Sequence, residues 1–169
     1  MKFRTLTLFV SLAALMVAGC GKKETATAAA PAAPAPASAP AADGVRVIKV
    51  TANDQMKFNL STIELKVGEE VKITLTNIGT MPKQAMGHNL VVLKPGTEET
   101  AFATAAGPAT ATEHIPESMK DQVVAHTKML GPKESDSITL KFDEAGNYPF
   151  MCSFPAHFQL GMKGNIVVK

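Results

Sequence analysis

Apolar and polar residues alternate along most of the chain beyond its first 44 residues. VRVIKVT (45–51), TIELKV (62–67), VKITLTN (71–77), HNLVVLK (88–94), QVVAHTKML (122–130), DSITLKF (136–142), NYPFMC (147–152) and NIVVK (165–169) carry branched, aromatic or other apolar side chains at or near the strand period of two. Gly68, Gly79, Pro95-Gly96, Gly131-Pro132, Gly146 and Gly161 punctuate them as turn signals. Eight short strands at this spacing predict an all-β domain, an antiparallel sandwich or barrel closing two layers over one core. The alanine-rich stretch 97–120 breaks the rhythm and predicts a short helical insertion beside the sheets.

The N-terminus follows a different pattern. MKFRTLTLFVSLAALMVAGC has a basic start (Lys2, Arg4) and an apolar run from Leu6 to Val17 that is short for a bilayer span. Residues 1–19 therefore read as a signal peptide. Its end, Val17-Ala18-Gly19-Cys20, resembles a bacterial lipobox, in which cleavage leaves Cys20 first and its sulfur carries diacylglycerol. The competing reading is secretion with Cys20 discarded, since ordinary signal peptides also end in small residues. Residues 20–44 are rich in Ala and Pro, with no aromatic or branched aliphatic side chain to bury, and read as a disordered tether. Residues 21–44 in extended polyproline II reach about 70 Å, enough to hold a domain off a membrane.

The remaining 45–169 form one domain of ordinary size. With Lys2, Arg4, Lys22 and Lys23 set aside from 17 basic residues, and Glu24 and Asp43 from 15 acidic ones, the domain holds 13 of each. A balanced charge and few aromatic rings exclude a nucleic-acid partner.

Export makes the cysteine count informative. If Cys20 is lipidated, Cys152 has no partner for an internal disulfide, in a compartment where disulfides are the rule. Cys152 lies in MCSFPAHFQLGMKG (151–164), with His157 and Met162 following at intervals of four intervening residues. A thiolate, two imidazoles in a rough trigonal plane and a weak axial thioether make a blue-copper site. The second imidazole must come from upstream, and MGHNL (86–90) offers His88, where Gly87 permits close approach of backbone to a metal. Taken singly, Cys152 reads as a small core hydrophobe, the histidines as surface groups and Met162 as packing. Taken together at this spacing they read as ligands. His114 and His126 are expected to be surface residues away from the cluster.

These residues resemble the cupredoxin family, and within it the azurins and auracyanins. NDQMKFN (53–59), MGHNLV (86–91), VVAHTKMLG (123–131) and CSFPAHFQLGMKG (152–164) are similar to azurin segments in the same order, so the resemblance spans nearly the whole domain. It implies an eight-stranded Greek-key β-sandwich holding one copper. It also implies that His88, Cys152 and His157 are equatorial ligands, Met162 the axial one and the Gly87 carbonyl a distant fifth contact. Asn89 matches the azurin residue that steadies the ligand loops. Some features depart from azurin: the usual N-terminal disulfide is missing, and four residues rather than three separate His157 from Met162, as in auracyanins. Leu90 and Asn77 stand where well-known azurins have a buried tryptophan and a pH-sensitive histidine.

The expected function is that of a membrane-tethered, single-electron carrier in the bacterial cell envelope, not an enzyme. Redox proteins such as c-type cytochromes, or membrane and periplasmic oxidoreductases, are the expected partners. The apolar surroundings Phe154, Pro155 and Phe158 point to the His157 edge as the docking face, extended by Met56, Met81, Met86 and Leu160 by analogy with azurin. The alternatives are a periplasmic copper-binding or delivery protein, a cysteine-nucleophile enzyme and a structural zinc site.

Overall fold

The computed structural model describes residues 44–169. The predicted signal peptide (1–19), Cys20 and the tether up to residue 43 lie outside the described residues.

Two sheets face one another. The first has strands β1 (Arg46–Asn53), β2 (Lys57–Phe58), β4 (Glu70–Asn77) and β7 (Ser135–Lys141), in the order β2-β1-β4-β7. The second has β3 (Thr62–Leu65), β5 (Val91–Leu93), β6 (Val123–His126), β8 (Gly146–Met151) and β9 (Lys163–Val168), in the order β3-β9-β8-β5-β6. Alternation decides which side chains meet between the sheets. Ile48, Val50 and Ala52 of β1 and Val71, Ile73 and Leu75 of β4 are buried against Ile63, Leu65, Phe150, Ile166 and Val168.

All eight predicted strands form, with differences at their ends, and the two-residue β2 is added. The sandwich is not purely antiparallel. β1 pairs with β4, and β3 with β9, in parallel. The chain passes through β3 in the second sheet before returning as β4, so β1 and β4 are joined by a crossover and not by a hairpin. The run 88–94 supplies only three strand residues. His88 instead makes an isolated bridge to Leu130, donating its N–H to Leu130 O at 3.1 Å and accepting from Leu130 N at 2.7 Å.

The insertion folds as α2 (Glu99–Ala106) followed by 3-10 turns at Thr110–Thr112 and Glu117–Gln122; a one-turn α1 (Lys83–Met86) precedes Gly87. Phe102, Ala103 and Ala106 of α2 pack with Val91, Leu93, Ile115, Met151 and Phe158 as a second apolar cluster on the outer side of the second sheet. β5 is therefore buried on both faces, which accounts for its unbroken apolar run where a half-exposed strand would alternate.

Candidate metal centre

Three segments meet beside the end of β8. Cys152 directly follows β8, and its N–H donates to Met162 O at 3.0 Å; Met162 N in turn donates to His157 O at 3.0 Å. This turn, further closed by Leu160 N to Ala156 O at 3.1 Å and Gly161 N to Phe158 O at 2.9 Å, carries His157 back over Cys152. His88 arrives from the segment between α1 and β5. The Nδ1 atoms of His157 and His88 lie 3.4 and 4.0 Å from Cys152 Sγ, and Gly87 O lies 4.0 Å from it. The metal-binding atoms of His88, Cys152 and His157 are all within 4.8 Å of one another, and all three residues are buried. Sulfur and nitrogen donors bound to one ion at about 2.0–2.3 Å stand about 3.7 Å apart in a trigonal plane, so these donors fit a single copper.

Gly87 is needed here for space. Its φ of −69° suits any residue, but a Cβ would stand 2.7 Å from Lys83 O and 2.9 Å from Met129 Sδ. Met162 is fully buried in the main core.

Burial sets the protonation states of the donors. It pushes the Cys152 thiol up from an ordinary 9.0 to about 12, against the opposing pull of the Asn89 and Phe154 N–H groups. Burial, then the neighbouring His88 and His114 rings, hold His157 down from 6.5 to about 4. His88 is lowered by burial, opposed by the Asp54 carboxylate and the Asn53 carbonyl. Asn53 acts on the ring without closing a hydrogen bond of ordinary geometry at the buried Nε2, which is left without a partner. Both imidazoles are thus neutral at pH 7, the form that binds a metal.

Side-chain hydrogen bonds lock these segments together. Asn89 bridges to Ser153 twice, and Thr127 accepts from Leu90 N at 3.0 Å while its own N donates to Leu90 O at 3.0 Å. Glu113 receives Lys83 Nζ at 2.9 Å on one oxygen and Met129 N at 3.1 Å on the other, fastening the insertion to the His88 segment. Ser153, Thr127 and Glu113 were not singled out from the sequence. Only the adjacency of Ser153 to Cys152 marked any of them, because their partners are distant along the chain.

Two expectations are corrected. Phe158 is 7% exposed and packs in the cluster beneath α2, with Lys163 Nζ 4.4 Å from its ring centre, so it is no part of an outer docking face. Its place in the turn after His157 directs its side chain inwards. His114 is not remote: its ring meets Phe154 edge-on at 5.3 Å, and Phe154 lies 4.7 Å from the His157 ring. The insertion brings it there. His126 is exposed, as expected. Of the anticipated patch, Leu160 (51%) and Met81 (41%) are exposed, and Met56, Met86 and Phe154 are half-buried.

Comparison with known proteins agrees with the geometry. Residues 45–169 match the family model described as copper binding proteins, plastocyanin/azurin family. An azurin of Alcaligenes faecalis is 39% identical over 123 residues, covering 70% of this chain and 94% of that protein. Outer membrane protein H.8 of Neisseria gonorrhoeae is 40% identical over 124 residues, covering 70% of this chain and 65% of that protein, so the match spans just under two thirds of its length. Among solved structures, an auracyanin of Roseiflexus castenholzii aligns with a TM-score of 0.61 and 29% identity, over 73% of this chain and 96% of its own. With a His-Cys-His cluster buried at one end of a β-sandwich, the chain belongs to the plastocyanin/azurin family of copper-binding proteins.

Proposed function

We propose that this protein carries single electrons, with His88, Cys152 and His157 as equatorial copper ligands, Met162 as the axial one and the Gly87 carbonyl as a weak fifth contact. The observation that carries this reading is the convergence of one thiol and two neutral imidazoles on a single buried point. Bound there, copper supplies a one-electron couple whose potential is tuned by the axial ligand and by the surroundings of the sulfur. The chain's own groups do the rest. Asn89 and Phe154 N–H groups aim at the sulfur and stabilise its anionic form. The paired backbone bonds among Cys152, His157 and Met162 hold the donors in place. Met162 and the apolar core exclude water from the sulfur side.

A cysteine nucleophile would need a depressed thiol pKa, and burial drives Cys152 the opposite way. A delivery protein remains the second reading, and the rigidity of this ladder argues against it, since handing over a metal requires the ligands to open. A visible spectrum of the oxidised copper-loaded protein tests the site: an intense thiolate-to-copper band is expected, and Cys152→Ser abolishes it while leaving the sandwich folded.

We also place the domain in the bacterial cell envelope, tethered to a membrane through a lipidated Cys20, with redox proteins such as c-type cytochromes as partners. The lipobox-like Val17-Ala18-Gly19-Cys20 supports this, as does the similarity to a protein named for the outer membrane. Among the described residues no helix is long and apolar enough to cross a membrane.

A further inference from the structure

We propose that Lys57 is a positioning residue for the ligand loop, pinning the Leu160 carbonyl so that Met162 keeps a fixed distance from the metal. The inference rests on the reading of Met162 as the axial ligand.

Lys57 is held where it can do this. The turn before it is closed by Met56 N donating to Asn53 O at 3.0 Å and Gln55 N donating to Asn53 Oδ1 at 3.0 Å, with Met56 in a left-handed conformation at φ 55°. Lys57 then pairs with Asn53 across the β1–β2 ladder. The next residue, Phe58, packs its ring 5.7 Å from that of Phe150 in the core. From this anchored hairpin Lys57 Nζ reaches 103 residues along the chain to donate to Leu160 O at 2.6 Å.

The recipient needs an outside partner. Ala156, His157 and Phe158 carbonyls accept bonds from within the turn, but the only donor to Leu160 O among the described residues is Lys57. The next residue, Gly161, has φ +88°, and a Cβ there would stand 3.0 Å from Lys57 Nζ. The ammonium therefore occupies the space that glycine leaves, at the residue immediately before Met162. A charged donor to a carbonyl makes a stronger bond than a neutral one, and outer contacts of this kind orient metal ligands.

Lys57→Met keeps the apolar stem and removes the donor, whereas Lys57→Arg keeps a donor. In the copper-free protein, Lys57→Met should speed amide hydrogen exchange at Gly161 and Met162 about tenfold, the scale of one lost charge-assisted bond. The β8–β9 ladder should be unaffected, and Lys57→Arg should restore much of the protection. In the copper-loaded protein the visible spectrum and reduction potential should shift even at about 1 M salt, where a Debye length of about 3 Å screens the lost charge itself. Unchanged exchange overturns the proposal, and so does faster exchange with a wild-type spectrum and high-salt potential. Failure of the axial reading shows separately, as an unmoved potential in Met162→Leu, while exchange in the copper-free protein reads the clamp without any metal.

Discussion

Asn89 and Ser153 hold one another by two buried hydrogen bonds, Asn89 Nδ2 donating to Ser153 Oγ at 2.8 Å and Ser153 N donating to Asn89 Oδ1 at 2.9 Å. Each is the chain neighbour of a ligand candidate, His88 or Cys152, so the pair fixes how far apart those two donors stand. Asn89→Ala leaves Ser153 N unpaired in the core, at a cost of about 1–3 kcal/mol. A fall in Tm of roughly 10 °C is expected for the copper-free protein, together with an altered potential in the loaded one. Wild-type melting and potential would show that the two segments are held elsewhere.

Copper uptake should strengthen as pH rises. Between about 6.5, above which both imidazoles are neutral, and about 12, where Cys152 titrates, the metal-free site holds one proton that binding must displace, the thiol's. The apparent affinity, measured in a competition titration with a chelator of known pH dependence, should rise about tenfold per pH unit near neutrality. Below pH 4 His157 is protonated as well and the slope steepens. A flat profile at neutral pH would mean that the thiol is already ionised.

The same shifts act on folding of the metal-free domain. His157 binds a proton more weakly folded (about 4) than unfolded (6.5), so stability falls as pH drops through that window. Cys152 binds its proton more tightly folded (about 12) than unfolded (9.0), so stability falls again as pH rises from 9 to 12. Urea titrations should find a maximum between about 6.5 and 9 from these two groups. Stability that keeps rising below pH 6 would contradict the burial of His157.

Met162→Leu conserves volume in a packed core and should cost less than about 1.5 kcal/mol. The potential should rise, because an aliphatic side chain donates less to the oxidised metal than a thioether does. Equilibrium redox titration decides it, and an unchanged value would remove Met162 from the ligand set.

Phe158 and Leu160, two residues apart, should respond in opposite ways to charge. Phe158→Glu buries a carboxylate among Val91, Phe102 and Met151 and should destabilise the fold by several kcal/mol. Leu160→Lys adds a cation at an exposed position and should leave fold and spectrum intact. If electrons pass at the His157 edge, it slows self-exchange at low salt by about tenfold, and high salt restores the rate. Self-exchange at the wild-type rate at all salt concentrations would mean that electrons leave by another face.

The candidate ligands were legible in the sequence because their spacing is local. Cys152, His157 and Met162 sit within one short turn, and the glycine before His88 marked the second segment. The strands were legible for a similar reason: alternation along β1, β4 and β7 is a property of consecutive residues that share a buried face. What tertiary structure alone decided lies between segments far apart in sequence. Phe158 follows His157 directly, yet it packs beneath α2 while Pro155 and Ala156 remain exposed. The insertion's own sequence gives no sign that it will cover the second sheet and set His114 against Phe154. Nor does Lys57 reveal that Leu160 O is its partner 103 residues away. Periodicity records which face of an element is apolar; it does not say which distant element will cover that face.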